Sequence, residues 1–474
     1  MRRPRRQEDL REFQIVEKSK RSEKVFRSLH ISEHGLKVAL IFPSSYETAI
    51  SNLGFHKVFE LMNGIEGIQC ERFFYDKRFS KYYSLDTFRP LDEFHIWAFS
   101  VSFELDFQHI IYLLRKKGIP TQNSLRTEHH PLILIGGSVT YFNANALWQT
   151  ADVIFHGDAE ERLQPIMQLL LESFREKKQR IDIFQQLKDF DNLSIPPLNL
   201  ITKGVSKSLQ LTKNPAISLF TTKRSVFPNK VLLEIGRGCL QTCAFCVAGH
   251  TRSPARFVHL DIIKNILDEI KTKGFNECGL ISATFTDHPF KNEILDLLEE
   301  RSMRFSVSSL RLDHLSEKLI DGLLRSGQKE ITIAPEGGSQ KIRDLMNKQI
   351  SDEDIERSLQ LIGKRRIRKL KMYFIYGLEE EDETDLDAIG KITQRAIHYG
   401  ITDIKISLNP LIPKPGTPFA SRQIQDIKTL RAKKQFIEKI LGKTISVKFE
   451  SIRNSMLQYQ IANASKDYQF PFER

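Results

Sequence analysis

Three of the five cysteines, Cys239, Cys243 and Cys246, lie within eight positions of one another. Their spacing is CxxxCxxC, and they follow directly after the apolar run VLLEIGRG at 231–238. Thiolates are the protein ligands of iron–sulfur clusters, and three of them on one short loop can hold three irons of a 4Fe-4S cluster. The fourth iron then stays open to an exogenous ligand, which is the arrangement that a cluster used for chemistry needs.

Zinc is the rival interpretation of this loop, because His250 follows Cys246 at a spacing found in sites of three cysteines and one histidine. The short, uneven spacings and the position after a strand favour the iron–sulfur cluster. A disulfide is disfavoured by the odd number of cysteines. The remaining two, Cys70 and Cys278, lie inside strand patterns and are predicted to be core thiols.

The elements around the cysteine loop alternate between short β-rich runs and amphipathic helices. The predicted strands are at 231–238, 277–285, 303–311, 330–338, 369–377 and 403–413. This alternation is typical of parallel strands with crossover helices. Six such units in about 190 residues predict a partial (βα)6 barrel of the TIM type, which places chemistry at the carboxyl ends of its strands.

A separate series of five strand–helix units precedes the barrel. Its predicted strands are at 36–43, 68–75, 95–103, 131–138 and 151–158. This series predicts an open, doubly wound parallel sheet, in which ligands bind beyond the carboxyl ends of the strands. Glycines follow two of these strands. They allow a ligand to approach the backbone closely, or they serve only as turns between a strand and the next helix.

The predicted boundaries are a basic N-terminal arm at 1–35, the doubly wound domain at 36–200, a linker at 201–227, the barrel domain at 228–425 and a C-terminal extension at 426–474. Hydrophobic residues make up 40% and charged residues 27% of the 474 positions, which excludes a disordered or collagen-like chain. The sequence contains neither a secretory leader nor an apolar stretch of the roughly 18 residues that a membrane span needs. We therefore expect a cytoplasmic protein with no membrane partner.

The cysteine loop resembles that of the radical SAM superfamily, whose signature has an aromatic residue before the last cysteine, here Phe245. The resemblance extends over residues 228–425. It implies that Cys239, Cys243 and Cys246 hold a 4Fe-4S cluster whose open iron binds S-adenosylmethionine (SAM). Reductive cleavage of SAM then yields a 5′-deoxyadenosyl radical that abstracts hydrogen from a substrate. An external electron donor such as ferredoxin or flavodoxin is also implied.

The same resemblance implies which residues contact SAM. The acidic stretch that usually follows strand two is replaced by Ser282–Asp287, so the contact there is expected from backbone carbonyls and hydroxyls. The implied SAM-binding residues are Phe245, Ser282, Thr284, Ser308, Arg311, Glu336 and Leu378. Glu336 has a second interpretation, as an acidic residue at the start of a helix. No residue is assigned as catalytic.

A doubly wound domain in front of such a barrel resembles the cobalamin-binding-domain branch of the superfamily, including the run FPSSYETAISNLG at 42–54. This resemblance covers about residues 40–455. The DxHxxG motif, whose histidine ligates cobalamin, is absent, and His56 is expected to be a surface or partly buried residue rather than a ligand. If cobalamin binds, the expected contacts are Ser45, Asn52, Ser102, Gly136, Gly137, Gly157 and Glu160.

Several functions remain open at this point. The first hypothesis is a radical SAM enzyme that uses cobalamin for methyl transfer, and the second is one whose N-terminal domain binds substrate instead. A methylthiotransferase acting on tRNA or protein is weaker, because only Cys70 is available in the N-terminal half. A non-enzymatic scaffold would bind RNA through basic faces such as KRRIRKLK at 364–371, within a net charge of +12. The positive charge thus permits binding of nucleic acid but does not indicate it. The sequence does not define the substrate.

Overall fold

The computed structural model describes residues 6–202 and 204–470, which form two compact units. The first unit comprises Met1–Leu233 and Ala464–Arg474, and the second Glu234–Asn463. Both are mixed α/β units with parallel sheets, as the alternation of strands and helices predicts. No helix among the described residues is long and apolar enough to cross a membrane.

The N-terminal unit, over the residues that the structure describes, contains eight strands, six of them in one main sheet and two, the first and the last, in a separate pair. Its strands are β1 Lys24–Val25, β2 Leu36–Phe42, β3 Ile68–Phe74, β4 Ile96–Ser100, β5 Leu132–Gly136, β6 Val153–Phe155, β7 Leu193–Ser194 and β8 Phe220–Thr221. Its helices are α1 Gln7–Arg21, α2 Tyr46–Ala49, α3 Leu53–Asn63, α4 Phe107–Lys116, α5 Leu163–Arg175 and α6 Arg180–Leu187.

The order of the main sheet is β3-β2-β4-β5-β6-β7, with every pair parallel except β6 and β7. The central strands are apolar and buried, and residues 38–42 of β2 are at most 1% exposed. A parallel sheet covered on both faces needs such continuous apolar runs. The strand order reverses between β2 and β4, and ligands of doubly wound sheets bind at such a switch point.

The predicted N-terminal arm and linker differ from what the structure shows. Most of the arm is α1, which buries Phe13 and Val16, and β1 pairs with β8 from the predicted linker. Glu23, just after α1, forms an ion pair of 2.9 Å with the buried Arg72 of β3. The arm and linker are therefore part of the N-terminal unit, because they bury apolar and paired charged side chains. The arginines at positions 2, 3 and 5 lie outside the described residues.

The second unit contains the remaining strands and helices. Its strands are β9 Val231–Glu234, at the boundary between the units, then β10 Gly236–Arg237, β11 Arg256–Phe257, β12 Glu277–Ile281, β13 Arg304–Val307, β14 Glu330–Glu336, β15 Lys369–Tyr376, β16 Asp403–Pro410 and β17 Ser446–Phe449. Its helices are α7 Val247–His250, α8 Leu260–Thr272, α9 Lys291–Glu300, α10 Glu317–Arg325, α11 Gln340–Leu345, α12 Asp352–Lys364, α13 Glu383–His398, α14 Ile427–Leu441 and α15 Ile452–Ala462.

All six strands predicted for the barrel are present, but they are distributed over two sheets. The orders are β13-β12-β9 and β14-β15-β16-β17, so β13 and β14 are not hydrogen-bonded neighbours. The fourth strand of the second sheet, β17, comes from the predicted C-terminal extension and lies parallel to β16. Much of that extension, through α14 and β17, therefore belongs to the second unit.

Candidate functional site: the cysteine loop

The cysteine loop is closed at its base by a short antiparallel ribbon. Gly236 pairs with Phe257, and Arg237 pairs with Arg256, so β10 and β11 bring the two ends of the loop together. Gly238 follows with a φ of +84°, and a Cβ there would lie 2.6 Å from the carbonyl oxygen of Arg252. A side chain is therefore excluded at Gly238 both by conformation and by space.

Two backbone hydrogen bonds anchor the middle of the loop to the rest of the unit. Ala244 N donates to the carbonyl of Met346 at 2.7 Å, and Phe419 N donates to the carbonyl of Ala244 at 3.1 Å. The side chain of Asn347 donates to the carbonyl of Thr242 at 2.9 Å. These partners are about 100 to 175 residues away in sequence, so tertiary packing determines the shape of the loop.

The three thiols of the loop differ in their surroundings. Cys243 is buried, whereas Cys239 and Cys246 are partly exposed, and none of them is in a disulfide. Burial raises the pKa of the Cys243 thiol, against the opposing effect of nearby Lys348. Cys239 Sγ accepts a hydrogen bond from Gln241 N at 3.4 Å and lies 3.7 Å from Thr284 Oγ1.

This arrangement fits a cluster better than a single metal ion. Among residues 6–202 and 204–470, no three His, Cys, Asp or Glu side chains converge on one point as a zinc site requires. His250, the fourth ligand in the zinc interpretation, has its Nε2 3.1 Å from the carbonyl of Cys243. In a 4Fe-4S cluster each thiolate binds a different iron, so three thiols on one loop suit that group without converging.

Two predicted SAM-binding hydroxyls, Ser282 and Thr284, lie just after β12. Ser282 Oγ is buried and has no hydrogen-bond partner among the described residues, whereas Thr284 adjoins Cys239. Ser308 donates to the carbonyl of Ser282 at 2.7 Å and accepts from its N–H at 3.2 Å. An unsatisfied buried hydroxyl costs free energy unless a water molecule or a ligand completes its hydrogen bonding.

Arg311 is largely engaged within the protein. Its Nε and Nη2 donate to Asp313 at 3.0 and 2.7 Å, and Nη2 also lies 3.2 Å from the carbonyls of Lys348 and Gln349. Within the described part of the chain, Nη1 has no hydrogen-bond partner, so it is the nitrogen left for the predicted contact with SAM. The guanidinium thus ties the end of β13 to the segment after α11.

Glu336, at the end of β14, has a positive φ of 69° next to an irregularity in strand register. Burial raises the pKa of its carboxyl group, and Lys348 Nζ lies 3.4 Å from Oε1. Lys348 was not identified from the sequence, because no local pattern connects it with a residue twelve positions earlier. It adds a cation beside Glu336 and Cys243.

Arg343 is a second residue that the sequence did not indicate. It is fully buried, and its Nη1 donates to the carbonyls of Gly337 and Gly338 at 3.3 and 2.9 Å. Its Nε donates to the carbonyl of Ile350 at 2.8 Å. The guanidinium therefore fixes the turn that follows Glu336, so that Arg343 is a positioning residue.

Phe245 and Leu378 lie in one apolar cluster. Its buried members are Ala244, Ile342, Met346, Leu378, Leu411 and Phe419, with Phe245 packed against them. The carbonyl of Leu378 accepts from Lys433 Nζ at 2.6 Å. The cluster forms an apolar wall behind the cysteine loop, and Leu378 is part of its core.

The residues expected to contact cobalamin are engaged within the N-terminal unit. Ser45 Oγ accepts from Thr48 N at the start of α2, and Asn52 Oδ1 accepts from Phe55 N at the start of α3. Asn52 Nδ2 also donates to Ser102 Oγ at 3.0 Å. These polar groups stabilise helix starts and the edge of the sheet.

Two glycines at this edge lie close to neighbouring backbone. A Cβ on Gly137 would lie 2.3 Å from the carbonyl oxygen of Val101, and one on Gly157 would lie 2.2 Å from that of Ser206. Both positions therefore exclude a side chain because of the chain packing around them. Gly136 is less crowded, and the side chain of Glu160 is buried.

Two other sequence-based expectations, those for Cys70 and Cys278, agree with the structure, whereas His56 is more deeply buried than expected. Cys70 and Cys278 are fully buried in β3 and β12. His56 in α3 is buried, with Nε2 2.9 Å from the carbonyl of Ile50 and Nδ1 accepting from Leu219 N at 3.1 Å. Because both ring nitrogens are engaged, His56 is structural.

Known proteins resemble this chain over both units. Residues 54–196 match the family model for the N-terminal region of radical SAM proteins, and residues 233–391 match the model for the radical SAM superfamily. An uncharacterized protein of Methanocaldococcus jannaschii is 25% identical over 433 residues, which are 91% of this chain and 89% of that protein.

Two further proteins are similar to this chain in sequence or in fold. The tRNA-2-methylthio-N(6)-dimethylallyladenosine synthase of Pelagibacter ubique is 25% identical over 253 residues, 50% of this chain and 54% of the synthase. The radical S-adenosylmethionine methyltransferase TsrM of Kitasatospora setae has a similar fold, with a TM-score of 0.51 and 14% identity over 81% of this chain and 74% of TsrM. With both units matched and the cysteine signature in place, the chain belongs to the radical SAM superfamily of enzymes.

Proposed function

We propose that Cys239, Cys243 and Cys246 hold the 4Fe-4S cluster of this enzyme and leave one iron open for SAM. The observation that carries the proposal is a single closed loop with three free thiols, one of them adjoining the end of β12. When bound, the cluster and SAM supply a 5′-deoxyadenosyl radical that abstracts hydrogen from the substrate. The protein itself supplies binding, orientation and exclusion of water.

Specific residues would orient SAM beside the cysteine loop. The unpaired hydroxyl of Ser282 is available as a hydrogen-bond donor, and Thr284 lies next to Cys239. The Glu336 carboxylate is held close to the Lys348 ammonium, so this end of β14 offers both an acceptor and a cation. The apolar cluster behind Phe245 keeps water away from one side of the loop.

Replacement of each cysteine tests the proposal. Cys239→Ala, Cys243→Ala and Cys246→Ala variants, reconstituted anaerobically, should lose iron and the ability to convert SAM into 5′-deoxyadenosine. Cys278→Ala is the matched control, because that thiol is buried in β12 of the same unit, and it should retain its iron. The proposal is wrong if a triple alanine variant keeps its iron, or if the native protein holds only zinc.

Cobalamin-dependent methyl transfer is the second candidate reaction. It is supported by the reversal of strand order between β2 and β4 and by the fold likeness to the methyltransferase TsrM. Hydroxocobalamin is the probe: corrinoid absorption bands that survive desalting would support this candidate, and their loss would favour a substrate site in the N-terminal unit.

Methylthiotransferase activity is less well supported. The partial similarity to tRNA-2-methylthio-N(6)-dimethylallyladenosine synthases is its basis. In the N-terminal unit, however, Cys70 is the single cysteine, and it is fully buried within β3. A second three-cysteine cluster therefore has no ligands there.

A further inference from the structure

The four-stranded sheet of the second unit has one buried and one open face. Along β15, Leu370, Met372 and Phe374 are fully buried, whereas the two residues between them, Lys371 and Tyr373, are partly exposed. The same alternation runs along β16. Successive side chains of a strand point to opposite faces, so one whole face of the sheet is accessible.

This open face carries several lysines. Strand register places Lys371 beside Lys405, and Tyr373 beside Ser407, which in turn lies beside Lys448. We call these five residues the open basic face.

Two of its lysines have no carboxylate partner. Lys405 forms an ion pair of 2.8 Å with Glu330. Among the described residues, neither Lys371 nor Lys448 forms an ion pair, although Lys371 Nζ lies 4.7 Å from the centre of the Tyr373 ring. Since Lys371 and Lys448 are two strands apart, roughly 10 Å separates them across the sheet.

The open basic face leads toward the cysteine loop. Ile375 continues the same row of side chains toward the carboxyl end of β15 and packs against the apolar cluster that contains Ala244. Phe245 packs against that cluster as well. A ligand lying along the face would therefore approach the loop that holds the three thiols.

We propose that the open basic face binds single-stranded nucleic acid, with Lys371 and Lys448 contacting separate phosphates and the Tyr373 ring stacking on a base. Separated cations with an aromatic ring between them suit such a strand, because each nucleotide offers one phosphate and one flat base. This inference rests on the proposed radical SAM function and names the class of its substrate. Of the basic run at 364–371, Lys371 belongs to this face, whereas Lys364 and Arg365 pair with Glu317.

Binding of a fluorescein-labelled single-stranded RNA of about 12 nucleotides to the full chain tests the proposal by fluorescence anisotropy. Replacing both unpaired lysines, in a K371Q/K448Q variant, should weaken binding about tenfold or more. It should also reduce the slope of log affinity against log salt by about 1.4. Tyr373→Ala should weaken binding at least about fivefold through lost stacking.

The matched control is K264Q/K439Q, which removes two exposed lysines of α8 and α14 that form no ion pair with any residue the structure describes. This control should change the affinity for RNA less than about twofold. Non-specific charge attraction would instead weaken binding equally in both double variants. An equal loss in both double variants would overturn the proposal. Adenosine monophosphate that displaces the RNA at equal concentration would overturn it too, in favour of a small phosphate compound.

Iron content, measured on the same preparations, distinguishes this inference from the proposed function. Anisotropy needs neither the cluster nor SAM, so RNA binding by a chain that holds no iron would contradict the proposed function alone. If the protein retains iron and cleaves SAM but does not bind RNA, only the proposal that the open basic face binds nucleic acid is contradicted.

Discussion

The His56 imidazole of the N-terminal unit is held in one protonation state by its surroundings. Its Nδ1 accepts a hydrogen bond from Leu219 N, and its Nε2 donates to the carbonyl of Ile50, so the ring is neutral. Burial, the largest effect, lowers its pKa from 6.5 to about 4. In the unfolded chain the same group takes up a proton near its ordinary pKa.

This difference predicts a loss of stability in acid. The unfolded state binds the additional proton as pH falls from about 6.5 toward 4, so stability decreases in that range and is unaffected above it. We expect the histidine to account for roughly 2 kcal/mol of lost stability at about pH 5. Urea unfolding near neutral pH and in acid measures this difference in the free energy of unfolding.

Two variants separate this effect from general acid sensitivity. His56→Gln should be less stable near neutral pH but should lose less stability in acid, because no imidazole remains to be protonated. His34→Gln, at an exposed position, should behave like the unchanged protein. An acid response of His56→Gln equal to that of the unchanged protein would contradict the expectation.

At the scale of elements, Gly249 in the short helix α7 determines how the cysteine loop closes. An added Cβ would lie 1.9 Å from the carbonyl oxygen of Gln241, so Gly249→Ala should displace one side of the loop. We expect a lower iron content after reconstitution and a lower melting temperature. Iron content and calorimetry measure the two effects.

Gly390 provides the control for this change. It also lies in a helix, α13, but a Cβ there would have no neighbour closer than 3.8 Å. Alanine is the better helix former by about 1 kcal/mol, so Gly390→Ala should leave the iron content unchanged and stability equal or higher. A similar loss of iron in both variants would show that the Gly249 contact is not the cause.

The adjacent glycines after β5 allow a second test at this scale. Gly137 has a φ of +110°, and a Cβ there would lie 2.3 Å from the Val101 carbonyl, whereas the nearest neighbour at Gly136 would be 3.7 Å away. Gly137→Ala should lower the melting temperature of the N-terminal unit clearly, and Gly136→Ala only slightly. Equal melting temperatures would argue against the backbone contact that the structure shows.

At the scale of the whole molecule, the chain returns to the N-terminal unit at its end. Asn143 Nδ2 donates to the carbonyl of Ala464 at 3.1 Å, Lys466 Nζ lies 3.9 Å from the centre of the Trp148 ring, and Phe470 is 2% exposed. These contacts link residues more than 300 positions apart.

Truncation tests their contribution. A chain that ends at Asn463 should have a lower melting temperature and altered fluorescence of Trp148, because Lys466 no longer covers the indole. A chain that ends at Phe470 should behave like the full chain, since the described contacts remain. Unchanged fluorescence after the longer deletion would mean that Lys466 does not cover Trp148 in solution.

The sequence alone determined the local features of this protein. Periodicity predicted the five parallel strands of the N-terminal sheet and all six strands expected in the barrel domain, because burial imposes a pattern on each strand separately. The spacing of Cys239, Cys243 and Cys246 indicated the cluster loop, since its chemistry depends on neighbours a few positions apart.

Tertiary structure decided the features that join distant segments. The pairing of Lys348 with Glu336, the contacts of Arg343 with the turn after Glu336, and the docking of α1 have no local signature. The filled spaces at Gly137 and the division of the second unit into two sheets depend on backbone positions that no short pattern encodes. The open basic face belongs to this class as well, because only the pairing of three strands brings Lys371 and Lys448 onto the same face of one sheet.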